Sequence, residues 1–333
     1  MIMALKGKSI MTFGAIKKFL SNNSLLLIVV LLFAFTSAYN SSFLTTINLS
    51  GMLIQISYMT FLAMGLTFVI LTGGIDLSIG AISSLSTVII AYSMKNFFLV
   101  NNTVTLVVGI LLVMLVCFLI GLLNGIFIAD FNFPPIIVTL CMTWIATGLG
   151  NTIIRGTPLA LKIPDFRRFL AIKIAGVIPI TFIITLAVLV ILIWVLNKTR
   201  FGREFYAVGS SHYAAFISGM NVKMVLRKAY IISAMFAGVA GLFLAANLNS
   251  GYATAAQNWE LYSIAAVVMG GVSLSGGEGS ILNVFFGVII LRILNKLVVF
   301  TGLSNISGFI EGIIIGAILV LVLFVNSIKK ERV

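Results

Sequence analysis

Apolar residues occur along the chain in runs of about 20, the length at which an α-helix crosses about 30 Å of hydrocarbon. A membrane β-barrel would instead show segments of about 10 residues that alternate between apolar and polar side chains. The run Thr181–Leu196 does not alternate. The pattern predicts an all-α integral membrane protein with about ten transmembrane helices. We place them at residues 23–40, 50–72, 77–95, 104–129, 133–153, 176–197, 229–248, 259–273, 280–300 and 306–326.

The composition excludes a soluble globular domain. Hydrophobic residues make up 61% of the 333 positions and charged residues only 9%, whereas a soluble domain carries about 25% charged residues. The net charge of +13 indicates nucleic-acid binding only weakly, because Lys and Arg lie at the ends of the apolar runs, where the positive-inside rule places them. That rule predicts cytoplasmic N- and C-termini and a cytoplasmic loop at 198–228. The apolar runs predict one transmembrane domain over 1–333.

One basic segment departs from this orientation. Residues 154–175 include Arg155, Arg167 and Arg168, yet ten spans place this loop on the extracytoplasmic side. Either the span count is wrong at this point, or the loop attracts an acidic external partner by its charge. We favour the second interpretation and predict that these three arginines are docking residues.

Two glycine-rich segments interrupt the apolar pattern and resemble each other. Residues 73–80 (GGIDLSIG) are echoed by residues 270–277 (GGVSLSGG). Breaks at corresponding places in two halves of a chain mark transport pathways, but small residues also serve simply for close helix packing, and the echo alone leaves both interpretations open. Asp76 is in addition expected to cap the helix that restarts after the first break. The candidate pathway or hinge residues are Gly73, Gly74, Asp76, Ser78, Gly270, Gly271 and Ser275.

The chain carries no motif for hydrolytic chemistry. A complete Walker-type phosphate loop and a His-Glu-x-x-His zinc motif are both absent, and the single histidine, His212, has no acidic neighbour in the sequence. Cys117 and Cys141 fall inside apolar runs and are expected to be small buried residues without a disulfide. We therefore expect a transport protein rather than an enzyme, with no catalytic residue, metal or cofactor of its own.

Few ionisable groups lie within the predicted spans. Ion-coupled carriers usually place several there, so this scarcity argues against such a carrier. Lys296 and Glu311 lie at similar depths in the last two spans, and we predict that they pair across the helices. The alternative is that Lys296 reaches the membrane interface alone.

Four motifs, taken together, resemble the permease subunits of ribose/galactose-type sugar ABC importers. They occur in the order that this family shows. The motifs are Leu71–Gly80, Phe133–Leu140, Arg200–Val222 and Glu260–Ser280.

The resemblance implies a multi-pass subunit of the bacterial cytoplasmic (inner) membrane that works as a dimer, most simply of two identical chains. A separate cytoplasmic ATPase would bind ATP and Mg²⁺, and an extracytoplasmic sugar-binding protein would deliver the solute. Transport would proceed by alternating access and import a ribose- or galactose-like monosaccharide. A nucleoside or another polyol-like solute stays open as the substrate, and an ion-coupled carrier and a non-transporting scaffold are the more distant alternatives.

The resemblance also implies a coupling helix, which docks into a groove of the ATPase, between two glycines of the cytoplasmic loop. The residues agree, because Ser210 or Ser211 can cap a helix and exposed aromatic side chains in such a loop need a partner that covers them. The alternative is a helix that rests on the membrane surface. The predicted coupling segment comprises Gly209, Ser210, Ser211, His212, Tyr213, Ala214, Ala215, Phe216, Ile217, Ser218 and Gly219.

The sequence departs from the family pattern near the predicted pathway. Thr147 stands where members commonly have an arginine, and Tyr262 stands where an acidic residue is usual. The sequence also shows no cluster of aromatic and paired polar residues of the kind that a high-affinity sugar site needs. We therefore expect recognition of the solute to reside mainly in the binding protein.

Overall fold

The computed structural model describes residues 24–96, 102–161, 170, 172–302, 312–313, 316–317 and 320. These residues form a bundle of α-helices joined by short connections, in agreement with the predicted all-α membrane fold. The helices are α1 (Ser24–Tyr39), α2 (Thr46–Leu71), α3 (Ile79–Asn96), α4 (Asn102–Ala129), α5 (Pro135–Ile154), α6 (Ile180–Lys198), α7 (Arg200–Ser210), α8 (His212–Ile217), α9 (Val222–Leu248), α10 (Trp259–Met269) and α11 (Ile281–Phe300).

Four two-residue strands lie in the connections. They are β1 (Leu159–Ala160), β2 (Lys173–Ile174), β3 (Ile178–Pro179) and β4 (Ser250–Gly251). Strand β1 pairs with β4 and β2 pairs with β3, both antiparallel. A 3-10 turn, Ser41–Leu44, joins α1 to α2.

Each predicted span up to residue 300 contains a helix in the described part of the chain. Six of these helices are long and apolar enough to cross a membrane: Thr46–Leu71, Thr103–Ala129, Pro135–Ile154, Ile180–Lys198, Val222–Leu248 and Ile281–Phe300. The predicted span 306–326 lies mostly outside the described residues. The count of ten spans and the cytoplasmic termini therefore stay predictions.

Helix α2 lies at the centre of the bundle. Its side chains are buried without interruption from Ile56 to Leu71, and it packs against α6, α9, α10 and α11. Apolar length does not single out this helix, since α4 is more apolar and much less buried. The buried hydroxyl side chains of α2, at Ser57, Thr60 and Thr67, are what favour an interior over lipid. Helices α4 and α5 are peripheral instead, and they expose apolar side chains such as Leu111 and Trp144. Cys141 also lies exposed on α5, so the expectation that both cysteines are buried is correct only for Cys117.

Glycines allow α9 to approach α4 closely. A Cβ at Gly121 would lie 2.7 Å from Ile231 Cα, and one at Gly125 would lie 2.8 Å from Arg227 Cα. Lipid provides no hydrophobic force between helices, so close van der Waals packing at small residues is what holds such a pair together.

The predicted loop at 198–228 is largely helical. The side-chain oxygens of Thr199 and Asn221 accept hydrogen bonds from backbone N–H groups three residues ahead, at 3.2 and 3.0 Å, and so cap α7 and α9. Helix α9 begins at Val222 rather than at the predicted residue 229. The hydropathy pattern missed its first turns because they carry Lys223 and Arg227, which such a pattern assigns to a loop.

The connections gather at two opposite ends of α9, a helix of 27 residues that is about 40 Å long at about 1.5 Å per residue. At its start, Lys223 lies 3.9 Å from Asp130, which follows α4. Beyond its end, Gly251 pairs with Leu159, which follows α5. We call these the α8 end and the β1–β4 end of the bundle.

Candidate functional site

The first glycine break, residues 72–78, is built around the buried carboxylate of Asp76. Its Oδ1 accepts hydrogen bonds from Ser78 N at 2.9 Å and from Ser78 Oγ at 2.5 Å, and its Oδ2 accepts one from Ser233 Oγ at 2.7 Å. Asn124 Nδ2 in turn donates to Ser78 Oγ at 3.1 Å. Three donors thus satisfy a carboxylate whose burial alone would be costly. The network ties the turn before α3 to both α4 and α9.

The second glycine break, residues 270–280, lies against the first. Gly277 N donates to Leu71 O at 2.9 Å, and this bond satisfies one of the carbonyls that the end of α2 leaves without a helical partner. Gly73 and Gly276 both have positive φ, 79° and 86°, a conformation that glycine adopts without strain. A Cβ at Gly276 would lie 2.8 Å from Gly73 N. The two segments that resemble each other in sequence therefore meet backbone to backbone.

The segment that leads into α8 completes this contact. Gly209, near the end of α7, packs so closely that a Cβ there would overlap Leu71 O and lie 2.5 Å from Gly277 N. Three backbones thus meet without any side chain between them. We call residues 71–74, 206–212 and 273–279 the three-way junction.

Two side chains of the α7–α8 segment reach across the junction. Tyr206 Oη donates to Gly279 O at 3.0 Å, and burial raises the pKa of this hydroxyl, which keeps it a donor. His212 Nε2 lies 3.2 Å from Thr72 O, to which it can donate in the tautomer that carries hydrogen on Nε2. The α7–α8 segment therefore contacts each glycine break through one side chain, Tyr206 or His212, as well as through backbone packing.

Helix α8 is shorter than the predicted coupling segment. It begins after Ser211, whose Oγ accepts a hydrogen bond from Ala214 N at 3.1 Å. Ser210 is not the cap, because it is the last residue of α7. The apolar side chains of α8 at Tyr213, Phe216 and Ile217 are 75%, 70% and 65% exposed. An exposed apolar surface of this kind is typical of a site that binds another molecule.

Two carboxylates hold the first turns of α9. Asp130 pairs with Arg227, and Glu204 on α7 lies 3.7 Å from Lys228. Hydrogen bonding to Arg227 lowers the pKa of the Asp130 carboxyl below its ordinary value. These ion pairs fix α4, α7 and α9 relative to each other. The described residues contain no group of three or more His, Cys, Asp or Glu that could hold a metal ion.

A family model described as "Branched-chain amino acid transport system / permease component" matches residues 48–323. The chain belongs to this permease family. It is 34% identical to the ribose import permease protein RbsC of Bacillus subtilis (strain 168), over 88% of this chain and 89% of that protein. It is 31% identical to the galactose/methyl galactoside import permease protein MglC of Escherichia coli (strain K12), over 99% of each. No solved structure matches the chain significantly.

These relatives confirm the resemblance that the four motifs indicated. The family and the long apolar helices together make the chain a multi-pass protein of the inner membrane. The roles predicted for particular residues stay predictions, and their positions in the permease are as follows.

The candidate pathway or hinge residues divide between two surroundings. Gly73 and Ser275 lie in the three-way junction. Gly74 packs against Tyr230, whose Oη would lie 2.5 Å from a Cβ at that position. Gly270 packs on α11, where a Cβ would lie 2.6 Å from Val284 N, whereas nothing lies within 4 Å of a Cβ at Gly271. Asp76 and Ser78 are fully buried in the hydrogen-bond network.

The remaining predicted residues lie towards the β1–β4 end or beyond the described chain. Arg155 ends α5 in the left-handed conformation, with φ 50°, and shares a cleft with Lys95 of α3. Arg167 and Arg168 lie outside the described residues. So does Glu311, and its pairing with Lys296 on α11 therefore stays a prediction.

The permease also contains a cavity with a mixed polar and apolar lining that the sequence did not indicate. It has a volume of about 220 Å³ and lies between α3, α5 and the segment that leads into α10. Trp144 and Leu140 form part of its wall, and Glu260 is its charged residue. The uncharged polar side chains that line it are Ser84, Thr143, Thr147, Thr254, Gln257 and Asn258.

Small residues create the space beside Glu260. A Cβ at Gly80 would collide with the Glu260 carboxylate and would lie 2.6 Å from Ala256 O. Glycine at position 80 is therefore what allows the start of α10 to pack against the start of α3. Folding assembles this lining from three segments that are distant in sequence, with Trp144 as its aromatic residue. The expectation that the chain lacks a high-affinity sugar site stays a prediction.

Proposed function

We propose that this permease is the membrane-spanning subunit of an ATP-driven importer that moves a ribose- or galactose-like monosaccharide by alternating access. The names of two relatives that cover nearly the whole chain support this substrate class. The family description names branched-chain amino acids, but a cavity lined by hydroxyl and amide groups suits a polyhydroxylated solute better than an aliphatic side chain. ATP and Mg²⁺ bind to a separate ATPase subunit.

The three-way junction is the observation that carries this proposal. The exposed apolar side chains of α8 are the surface on which the ATPase docks, so α8 acts as the coupling helix. A displacement of α8 passes directly into both glycine breaks, because Gly209 contacts Leu71 and Gly277 through backbone atoms. Backbone contacts transmit such a displacement better than side chains, which can rotate away from it.

The glycine breaks act as the hinges of the transport cycle. Gly73, Gly271 and Gly276 have positive φ, and such positions absorb a change of direction between rigid helices. The Asp76 network holds the beginning of α3 to α4 and α9 while the neighbouring junction moves. Movement is therefore concentrated on α10 and α11, which flank the second break, because α2 packs along α9.

The two ends of the bundle serve different partners. The α8 end is cytoplasmic and binds the ATPase. The β1–β4 end faces the extracytoplasmic binding protein, and Arg155, together with Arg167 and Arg168, attracts acidic groups on that protein. A second copy of the chain covers the exposed apolar side of α5 and completes the dimer.

Reconstitution tests this function directly. The permease is assembled in proteoliposomes with its ATPase and binding protein, and ATP hydrolysis is measured with ribose, galactose, a nucleoside and leucine in turn. We expect ribose or galactose to stimulate hydrolysis. The sugar should accumulate inside vesicles that have the binding protein outside and the ATPase inside. Vesicles without the binding protein are the control for basal hydrolysis.

Three outcomes would contradict the proposal. Stimulation by the nucleoside alone would assign the permease to a nucleoside importer, and stimulation by leucine alone to an amino-acid importer. Solute uptake driven by an ion gradient in vesicles that contain the permease alone would make it a secondary carrier.

A further inference from the structure

The cavity beside Glu260 carries a single kind of charge. Its lining contains Glu260 and neither lysine nor arginine. Among the described residues, the carboxylates that form ion pairs are Asp130 and Glu204, both at the α8 end. The carboxylate of Glu260 is therefore not neutralised by a cation from the part of the chain that the structure describes.

The backbone beside this cavity is not helical, although it lies beside α5, which is long and apolar enough to cross a membrane. Tyr252 N donates to Thr87 Oγ1 at 3.0 Å, and Ala256 N donates to Ser84 Oγ at 2.9 Å. The segment 252–258 thus runs along α3 towards its start. Irregular backbone at membrane depth is stable only where protein buries it or where it lines a water-filled space.

Exposure decides between these two possibilities. Gln257 and Asn258 are exposed, whereas Ala256, immediately before them, is fully buried. The exposed amides face the cavity, and amide groups require hydrogen-bonding partners. Lining of a water-filled space is therefore the possibility that these residues favour.

We propose that this cavity is the solute-facing recess of the permease and that Glu260 makes it selective for neutral polyhydroxylated solutes over anionic ones. The inference rests on the proposed sugar transport and adds a charge rule to it, namely that the recess admits neutral solutes and repels anionic ones. Sugar phosphates and sugar acids are the solutes that the recess repels.

The chemistry of the lining accounts for both halves of this selectivity. A carboxylate accepts two or more hydrogen bonds from sugar hydroxyls, and hydroxyl and amide side chains around it can both donate and accept. An anionic solute in the same place meets a like charge in a partly desolvated space, where repulsion is stronger than in bulk water.

The recess is one wall of a larger site. Its volume of about 220 Å³ lies below the about 300–1,000 Å³ of ordinary ligand pockets. Trp144 at its edge is 75% exposed, so the wall is open on the α5 side, where the second copy of the chain is proposed to lie.

Thiol labelling tests the charge rule without any transport. Cys141 is first replaced by Ser, since it is exposed, while the buried Cys117 is kept. Gln257→Cys then places a thiol in the recess. The purified permease in lipid nanodiscs is treated with a cationic and an anionic methanethiosulfonate reagent, and the rate ratio is compared with that of a free thiol. We expect the cationic reagent to be favoured at this site by on the order of tenfold.

Two substitutions identify Glu260 as the cause. Glu260→Gln keeps the size of the side chain and should return the ratio to that of a free thiol. Thr147→Arg leaves the carboxylate in place and adds a cation to the same lining, so it should also abolish the preference. Thr152→Cys, in the cleft that contains Lys95 and Arg155, is the matched control, and its ratio should not respond to Glu260→Gln.

The results separate failure of this inference from failure of the proposed function. Equal normalised rates for both reagents at Gln257→Cys would overturn the charge rule, and so would a preference that survives Glu260→Gln. Absence of reaction with either reagent would show a dry cavity and overturn the recess itself. Each of these results is independent of which solute stimulates the assembled importer.

Discussion

Gly209→Ala is the most direct test of the three-way junction. The position lies inside helix α7, where alanine is intrinsically favoured over glycine by about 1 kcal/mol. On helix propensity alone, the substitution should therefore stabilise the protein. The packing predicts the opposite, because the added methyl group would overlap Leu71 O and approach Gly277 N to 2.5 Å.

The magnitude follows from the atoms that must move. Both neighbours are backbone atoms, and they are joined to each other by the 2.9 Å hydrogen bond from Gly277 N to Leu71 O. Separating them costs about 1 kcal/mol for the hydrogen bond and about 1–3 kcal/mol for overpacking. After the gain in helix propensity, a net loss of about 1–3 kcal/mol remains.

Two measurements check this estimate. Thermal unfolding of the purified permease should show Gly209→Ala to be less stable than wild type, and substrate-stimulated ATP hydrolysis of the assembled importer should fall while basal hydrolysis persists. Gly51→Ala on α2 is the matched control, because nothing lies within 4 Å of its added Cβ. If Gly209→Ala instead behaved like Gly51→Ala in both assays, the junction would not couple the partner to the membrane bundle.

Further predictions concern the charges and the docking surface. Asp76→Ala should destabilise the permease by about 3 kcal/mol, since it leaves buried donors unpaired, and chemical denaturation measures this loss. The pKa of Asp130 is lower in the folded protein than in the unfolded chain. Its ion pair therefore stabilises the protein above the unfolded carboxyl's pKa of about 4, and this stabilisation is lost as the pH falls through the folded pKa. Asp130→Asn should accordingly lower the melting temperature at pH 7 but not in strong acid. Ala214→Arg should abolish substrate-stimulated ATP hydrolysis while leaving the permease folded. For Lys296 and Glu311, removing both charges should cost less stability than the two single substitutions summed, and an additive result would exclude the pair.

Apolar run length predicted most of the helices because a helix that crosses a membrane must be long and apolar. It failed where that rule does not apply. Helix α9 begins at Val222, before the predicted span, and its basic first turns pair with Asp130 and Glu204. Helix α10 has only 11 residues, and irregular backbone replaces the rest of the predicted span.

The candidate site could be predicted only in part, for a related reason. The repeated glycine motif identified both breaks, because positive φ and close backbone approach demand glycine whatever the surroundings. That these breaks contact each other and Gly209 depends on long-range packing, which local pattern does not encode. The cavity was missed because its lining comes from residues near 80, 143 and 257, and its one sequence signal was a lone acidic residue, Glu260, at a span end.

Helix α10 joins the two parts of this site. Glu260 lies in its first turn, in the wall of the cavity, and its last residue, Met269, precedes the glycine break that enters the three-way junction. A helix of 11 residues is a stiff element about 16 Å long. A displacement of residues 270–279 must therefore move Glu260 as well, whereas the start of α3 opposite is fixed to α4 and α9 through Asp76. We therefore expect the cavity to have one wall that moves with α8 and one that does not, which is the arrangement that the proposed alternating access requires.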